Sequence, residues 1–409
     1  MLWTSLILVY FYTLVTAYDT DFGFARSKAE QLEHDRLTLM NETTTLLRGL
    51  LKNYDKTLRP GLGNKPIQVN VTVLVDSLGP ISETENSFRV DFNFRQFWVD
   101  KRLSFKRPKH LSGGALTLSH DFIKKIWVPD SYFPDSLNEF KHSTMVPNML
   151  LRLTYTGEIL LSCRVTVIAK CTIDLTYFPM DEQQCRLIIE TYGYTTNDLI
   201  LQWKSEGAVK VTNNINLAQF ELRKHKIDQY ELNFTTGNFT DLEITFYLKR
   251  ILVYHIIQSY VPSTLLVVLS WVGFWVDRKS TPARASLSIT SVLTLMMLMG
   301  GVNSRLPKAS KVKALDYYFI LSFVFVFAAL IEFSVITYIF LLKKVGIKKR
   351  GRSGIGYYAM AVLVVFDRLI VRINPAKVDS YSKRIFPSSY ITVIFIYCGR
   401  YAYISSSYE

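Results

Sequence analysis

Residues 282 to 307 combine the length of a membrane span with side chains that a lipid-facing helix does not need. The interval between Arg284 and Arg305 holds only uncharged residues, and at about 1.5 Å per helical residue it covers the ~30 Å hydrocarbon layer of a bilayer. Steps of three, four or seven bring one set of residues to a single helix face: Ser286, Thr290, Leu293, Met297 and Ser304, with Pro282 just below. Hydroxyls interrupted by apolar residues suit a narrow aqueous ion pathway with a hydrophobic constriction. Because Ser and Thr also pack membrane helices together, a buried bundle helix is the alternative.

The sequence offers no support for an enzyme. It has no glycine-rich phosphate loop, no nucleophile motif and no Cys/His cluster with metal-ligand spacing. We therefore expect no catalysis, no cofactor, no metal site and no nucleic-acid partner.

Composition indicates a membrane protein with a large polar part. The chain has 409 residues, 14% aromatic residues and a formal charge of +14. Residues 1–17 resemble a secretory signal peptide, with an apolar run and a small-residue cleavage site ending at Ala17. Candidate glycosylation sites all precede residue 250, as expected if that part enters the secretory lumen: Asn41, Asn70, Asn233 and Asn238.

The cysteines divide unevenly. Cys171 and Cys185 bracket thirteen residues, a loop of useful size for a disulfide in an oxidising compartment. Cys163 and Cys398 have no obvious partner, and we expect free thiols there.

Hydrophobic periodicity changes along the chain. Leucines at near-heptad spacing predict a helix over residues 24–53. Short alternating runs between residues 67 and 250 predict strands of a mostly antiparallel β-sandwich, so residues 18–250 form an extracellular domain.

Four apolar stretches follow. Residues 251–342 hold three predicted transmembrane helices, and a shorter fourth lies at 385–403, before a tail at 404–409. Segment 343–384 has eleven Lys or Arg against two Asp, which marks it as cytoplasmic. Both termini are then extracellular, in a multi-pass protein of the plasma membrane surrounded by lipid.

These features together resemble the pentameric Cys-loop ligand-gated ion channels. The segment FPMD, from Phe178 to Asp181, lies inside the cysteine loop and looks like the family signature; IWVPDSYF, ETYGYTTNDL, YVPS and FVFAALIEF resemble its other fixed blocks. The resemblance implies a β-sandwich, a four-helix transmembrane bundle and four further subunits, identical or related. The segment TPAR before the pore helix resembles the anion-selective branch, and the closest pattern is that of GABA receptor β-like subunits.

The resemblance implies a chloride pore. Cation-selective relatives place Glu directly before the intracellular pore Arg, whereas Ala283 stands there in this chain, beside Pro282. Arg284 and the helix amino termini then favour chloride. Leu293 resembles the family's hydrophobic gate.

The resemblance also places a neurotransmitter site between subunits. On the principal face it implies Tyr132, Glu190, Thr191, Tyr192, Phe234, Thr236 and Phe239, which form an aromatic cage with a carboxylate for an ammonium. On the complementary face it implies Arg95 for a carboxylate, assisted by Thr166. A cage facing an arginine suits a zwitterion, with GABA as the leading agonist at a postsynaptic membrane.

Two departures keep alternatives open. Asp76 stands where glutamate-gated relatives have an arginine, and Asn93 stands where GABA and glycine receptors have an aromatic residue. A chloride channel opened by a biogenic amine or by pH is therefore the nearest rival. Another is an accessory subunit that does not conduct alone.

Coupling between ligand and pore is expected at the membrane surface. By resemblance Phe178, Pro179, Asp181 and Arg250 meet the 303–314 linker, which contains Lys308. Asp181 and Arg250 form the candidate ion pair. Glu332, a carboxylate inside the third span, is expected to be structural.

Overall fold

The computed structural model describes residues 31–107, 114–212, 215, 217–277, 280–307, 311–346 and 375–406. The predicted signal peptide, Lys308, most of the basic segment 343–384 and the end of the tail lie outside these residues. The amino-terminal helix α1 covers residues 31–51, within the predicted 24–53.

The strands that follow form the predicted sandwich. In chain order they are β1 (Ile67–Ser82), β2 (Ser87–Val99), β3 (Ala115–Leu118), β4 (Ser131–Tyr132), β5 (Ser136–Lys141), β6 (Met149–Thr154), β7 (Glu158–Lys170), β8 (Glu182–Thr191), β9 (Leu199–Trp203), β10 (Val209–Val211), β11 (Phe220–Phe234) and β12 (Gly237–Arg250). The larger sheet has the order β10-β1-β2-β7-β6-β3, with β5 on β7 and β9 on β1; the smaller is β11-β12-β8-β4. Pairing is antiparallel except where β1 meets β9 and β10. The β-sandwich prediction is confirmed.

Alternation of apolar and polar residues explains why the two sheets pack. Every second side chain of β2 and of β12 points into the shared core, where the rings of Phe88 and Phe246 meet edge to face at 6.1 Å. Cys171 and Cys185 form the predicted disulfide beside this core. Cys163 and Cys398 are free, as predicted.

The helices after β12 form a bundle. They are α2 (Val253–Val272, with a π turn over Ile256–Tyr260), α3 (Thr281–Asn303), α4 (Ala314–Gly346) and α5 (Pro375–Ser406). Among the residues described, α2, α3 and the Ala314–Phe340 part of α4 are long and apolar enough to cross a membrane. Their shared core includes Val267, Leu295 and Phe319.

The last helix differs from the sequence prediction in length. It begins at Pro375 rather than at 385, so its first turns carry the polar residues assigned to the basic segment. Tyr390 of α5 packs its ring 5.7 Å from Trp271 and 5.1 Å from Phe325, which ties α5 to α2 and α4. That α5 crosses the membrane stays a prediction.

Replacing Phe246 with Ala tests the sandwich core. The change removes a fully buried ring and leaves a cavity, so we expect a loss of about 3–5 kcal/mol of unfolding free energy. The measurement is the melting temperature of the purified chain in detergent. Phe140→Ala, at a ring that is 49% exposed, is the control and should stay within about 0.5 kcal/mol. Equal losses in both variants would contradict this packing.

Candidate functional site

A tyrosine and a glutamate on neighbouring strands form the centre of the predicted principal face. Tyr132 of β4 is paired with Glu190 of β8, and its hydroxyl donates to Glu190 Oε2 at 3.0 Å. Burial, together with Glu190, raises the pKa of Tyr132 to about 12. The ring of Tyr192 meets that of Tyr132 edge to face at 5.4 Å and is 78% exposed. These groups present two aromatic faces and a carboxylate, which can hold a cation.

The β11–β12 hairpin supplies the second aromatic pair. The rings of Phe234 and Phe239 lie 5.8 Å apart, Phe239 buried and Phe234 exposed. Thr236 is exposed at the tip. The tip lies on the segment after Tyr192: Thr196 N donates to Asn238 O at 2.8 Å, and Gly237, at φ +134°, comes so close that a Cβ there would meet Thr195 Cγ2 at 2.7 Å.

Thr191 has an internal role in this structure. Its side chain is buried, and its hydroxyl donates to Tyr194 O at 2.7 Å. It supports the turn that carries Tyr192.

The predicted complementary face lies on the larger sheet. Arg95 of β2 is paired with Thr72 of β1 and with Ser162 of β7, so these three side chains share one face. Arg95 is half-buried, and its guanidinium makes no hydrogen bond or ion pair with any residue in the described ranges. It lines a cavity of about 180 Å³ together with the charged residues Lys204, Lys210 and Glu206. An unpaired guanidinium at the wall of a cavity can take an anion.

Thr166 is not next to Arg95. It lies further along β7, where it is buried, donates to Asp91 and contacts His142 Nε2 at 2.8 Å. The hydroxyl opposite Arg95 belongs to Ser162, which the sequence analysis missed. Only the β2–β7 register identifies it, because several hydroxyls alternate along β7.

Asn93 and Asp76, the two residues that depart from the family pattern, are hydrogen-bonded to each other. Asn93 Nδ2 donates to Asp76 Oδ2 at 2.8 Å. On this face Asn93 stands where GABA and glycine receptors have an aromatic residue, and it forms a polar pair with Asp76.

The hydroxyl stripe of α3 faces away from its own bundle. Its members, like the neighbouring Ala283, are exposed in the single subunit: Pro282, Ser286, Thr290, Leu293, Met297 and Ser304. Ser288, Ser291 and Leu295 form the buried face. Leu293 and Met297 are 53% and 74% exposed, which leaves large apolar side chains uncovered.

Arg284, which the sequence predicts at the inner pore mouth, is buried within its own subunit. Its side chain is buried on the face of Ser288 and Ser291, and its Nη2 lies 3.3 Å from Asp379 Oδ1 at the start of α5. The oxygens of Glu332 are buried next to Asp379, without a hydrogen bond of ordinary geometry. The carboxylate of Asp379 stabilises the buried guanidinium of Arg284, which explains why that side chain turns inward. Together, Arg284, Glu332 and Asp379 join α3, α4 and α5.

A second buried arginine joins the β-domain to the helices. Arg250, at the end of β12, donates to Asp181 at 2.8 and 3.0 Å and to Glu83 at 2.6 Å. Its guanidinium also lies 4.7 Å from the ring of Phe178 and 4.4 Å from that of Phe220. Burial alone would lower the pKa of Arg250, but Asp181 and Glu83 raise it above its usual range.

The disulfide loop contacts the helices through its backbone. The amides of Ala314 and Leu315, at the start of α4, donate to Thr176 O and Phe178 O at 3.0 and 3.1 Å. Lys311 Nζ lies 3.5 Å from Asp174 Oδ2. The loop with Phe178, Pro179 and Asp181 thus lies between Arg250 and the segment that precedes α4.

Residues 43–252 match the family model described as the neurotransmitter-gated ion-channel ligand binding domain, and residues 259–353 match its transmembrane region. The chain belongs to the neurotransmitter-gated ion-channel family. Similar proteins include the gamma-aminobutyric acid receptor subunit rho-1 of Homo sapiens, 41% identical over 302 residues, and subunit rho-2 of Bos taurus, 41% identical over 289 residues. These matches cover 73% and 70% of this chain and 62% of each relative. Subunit rho-2 of Rattus norvegicus is 39% identical over 317 residues, which are 76% of this chain and 68% of that protein.

The boundary between the two family regions coincides with the Arg250 junction. The first region ends at residue 252 and the second begins at 259. In this member of the family the two regions are therefore joined by a buried ion network, by the chain itself and by the disulfide loop.

The candidate glycosylation sites differ in their surroundings. Asn41 is exposed on α1, and Asn233 and Asn238 are exposed opposite each other in the hairpin. Asn70 is half-buried in β1, where its Oδ1 accepts from Gln202 Nε2 at 2.8 Å. Asn70 is therefore less accessible than the other three candidates.

Replacing Arg250 with Gln tests the junction. It leaves Asp181 and Glu83 without their cation, and we expect a loss of about 3–5 kcal/mol, read as a lower melting temperature. The exposed pair Arg223 and Glu221, 3.8 Å apart, gives the control: Arg223→Gln should cost about 1 kcal/mol or less. If Arg250→Gln lowers the melting temperature no more than the control variant does, the network does not hold the two regions together.

Proposed function

We propose that this chain is a subunit of a pentameric chloride channel of the plasma membrane that opens when GABA binds between subunits. The observation that carries the proposal is the pairing of Tyr132 and Glu190 under the exposed ring of Tyr192, on a different sheet from the unpaired guanidinium of Arg95. One subunit thus supplies a cation half-site and an anion half-site. A zwitterion held between neighbouring copies uses both.

The relatives named as gamma-aminobutyric acid receptor subunits support GABA as that zwitterion. GABA carries an ammonium for the aromatic cage and a carboxylate for Arg95. The Ser162 hydroxyl, opposite Arg95, is the second donor that we assign to the carboxylate.

The exposed stripe of α3 supports an anion pathway. No Asp or Glu occurs on it from Pro282 to Met297, so five copies form no carboxylate ring. The amino termini of five α3 helices carry partial positive charge towards the inner mouth. The buried pair of Arg284 and Asp379 holds the amino-terminal end of α3 in place at that mouth. Leu293 supplies the apolar constriction.

The single strand β12 links the ligand site to the pore. It starts at the hairpin tip, which covers the cage, and ends at Arg250. Closure of the hairpin on a ligand displaces β12, and Arg250 transmits that movement to the disulfide loop and to the segment between α3 and α4. Both termini are extracellular in this arrangement, and a postsynaptic location follows from the agonist.

A biogenic amine is the second candidate ligand. The Asn93–Asp76 pair favours it, because it puts a carboxylate, rather than an aromatic ring, on the complementary face. An amine without a carboxylate has no use for Arg95, and this difference separates the two candidates.

Replacing Arg95 with Ala tests the agonist assignment in cells that express the full chain. We expect the half-maximal GABA concentration to rise by about 100-fold, because a desolvated charge-assisted contact of roughly 2–3 kcal/mol is lost. The half-maximal GABA concentration of Arg95→Lys should lie between those of the wild type and of Arg95→Ala, since an ammonium cannot make the bidentate contact. Arg152→Ala, at an exposed arginine of β6, is the control. An unchanged GABA midpoint in Arg95→Ala would remove GABA and favour an amine.

A further inference from the structure

Asp241 is a buried carboxylate that the site described above does not use. It lies in β12, 3% exposed, and its Oδ1 is enclosed without a hydrogen-bond partner in the described part of the chain. An unpaired buried carboxylate is costly, since its charge loses the solvation of water and gains no donor in return. Such a group calls for a counterion or a proton.

The strand register places Asp241 inside the cation half-site. Asp241 is paired with Tyr230 of β11, and the next pair, Leu242 with Ile189, puts Glu190 beside Asp241 on β8. Glu190 is in turn paired with Tyr132 of β4. Residues that are directly opposite in neighbouring strands point to the same face, so Asp241 and Glu190 form adjacent carboxylates in one row.

The charged groups that act on Asp241 are all acidic. They are Glu190 on β8 and Asp135 after β4; the titratable groups beside it in the row are the hydroxyls of Tyr132 and Tyr230, on β4 and β11. Burial, with Glu190 and Asp135, raises the pKa of Asp241 to about 6. At neutral pH Asp241 therefore carries its negative charge, and a positive charge added beside it is attracted.

We propose that Asp241 is a second carboxylate of the cation half-site and selects ligands whose ammonium stands apart from any carboxylate. This inference rests on the proposed ligand site between subunits and names the ligand class of that site. In an α-amino acid the carboxylate is one carbon from the ammonium, so an ammonium held at the Tyr132–Glu190 end of the row brings a third carboxylate close to Glu190 and Asp241. In GABA a chain of three methylenes separates the two charges. Asp241 therefore favours ω-amino acids and amines over α-amino acids.

Acid is expected to weaken this preference. Because the pKa of Asp241 is raised, its charge is present at neutral pH and is lost as the pH falls through about 6. Both charges of GABA and of glycine persist over that range. Acidification should raise the midpoint of GABA binding and bring the GABA and glycine midpoints closer together.

The test measures ligand binding apart from channel opening. Purified full-length chain is titrated with GABA and with glycine, and the binding midpoint is read from the ligand-induced rise in melting temperature. The variants are Asp241→Asn, the charge-conserving Asp241→Glu, and Asp121→Asn as a control at a carboxylate that is 62% exposed. Whole-cell currents are recorded from the same variants.

We expect the wild-type chain to bind GABA more tightly than glycine. Asp241→Asn should raise the GABA midpoint about tenfold and reduce the GABA-to-glycine ratio, while Asp241→Glu and Asp121→Asn keep that ratio. Should Asp241→Asn fail to fold, the wild-type chain titrated at about pH 7.5 and about pH 5 must show the same loss of preference.

The outcomes separate this inference from the proposed function. If GABA opens the channel but Asp241→Asn and acid leave the ratio unchanged, Asp241 does not select the ligand and the proposed function stands. If GABA binds with the expected dependence on Asp241 but evokes no current, the inference stands and the channel proposal fails. Glycine binding as tightly as GABA to the wild-type chain, or no binding of either, would overturn the inference.

Discussion

A single buried guanidinium joins the two regions of this subunit. Arg250 holds two carboxylates and two aromatic rings at the point where the last strand of the sandwich becomes the first helix. Asp181 comes from the disulfide loop and Glu83 from the β1–β2 turn, so three chain segments depend on one charge. Since each partner without the others would be a desolvated charge, the junction behaves as a unit, and a force along β12 reaches the helices through it.

A second constraint acts on the sandwich, whose two sheets hold groups of opposite charge that do not pair with each other. The smaller sheet presents Glu190 and Asp241 in one row, and the larger presents Arg95, with Lys204, Lys210 and Glu206 around the same cavity. Within one subunit these charges lie on different sheets and leave each other unpaired. The arrangement favours a partner surface or ligand that brings both signs together, as a zwitterion between two copies does.

Much of the fold follows from periodicity in the sequence. Alternating residues in β2 and β12 predict a sandwich because one face of each sheet must be buried, and the spacing of Cys171 and Cys185 predicts the disulfide. The stripe from Ser286 to Met297 predicts a pore lining because hydroxyls repeat on one helix face, and that face is exposed in the single subunit. These features depend on local spacing, which a sequence displays directly.

Other features depend on register and on tertiary partners. Ser162, rather than Thr166, lies opposite Arg95 because of how β2 and β7 align, and the same kind of alignment brings Asp241 next to Glu190. Arg284 turns inward because Asp379, distant in sequence, offers a buried counter-charge. A motif identifies Arg284 but not the direction of its side chain, and no motif identifies Ser162 or Asp241.

The most direct test of the account is the reversal potential of GABA-evoked current in cells that express this chain, measured while external chloride is replaced by an impermeant anion. The account predicts that the reversal potential follows the chloride equilibrium potential and ignores sodium replacement. A reversal potential that follows sodium instead would contradict an anion pore whose inner mouth is formed by Pro282, Ala283 and the α3 amino termini.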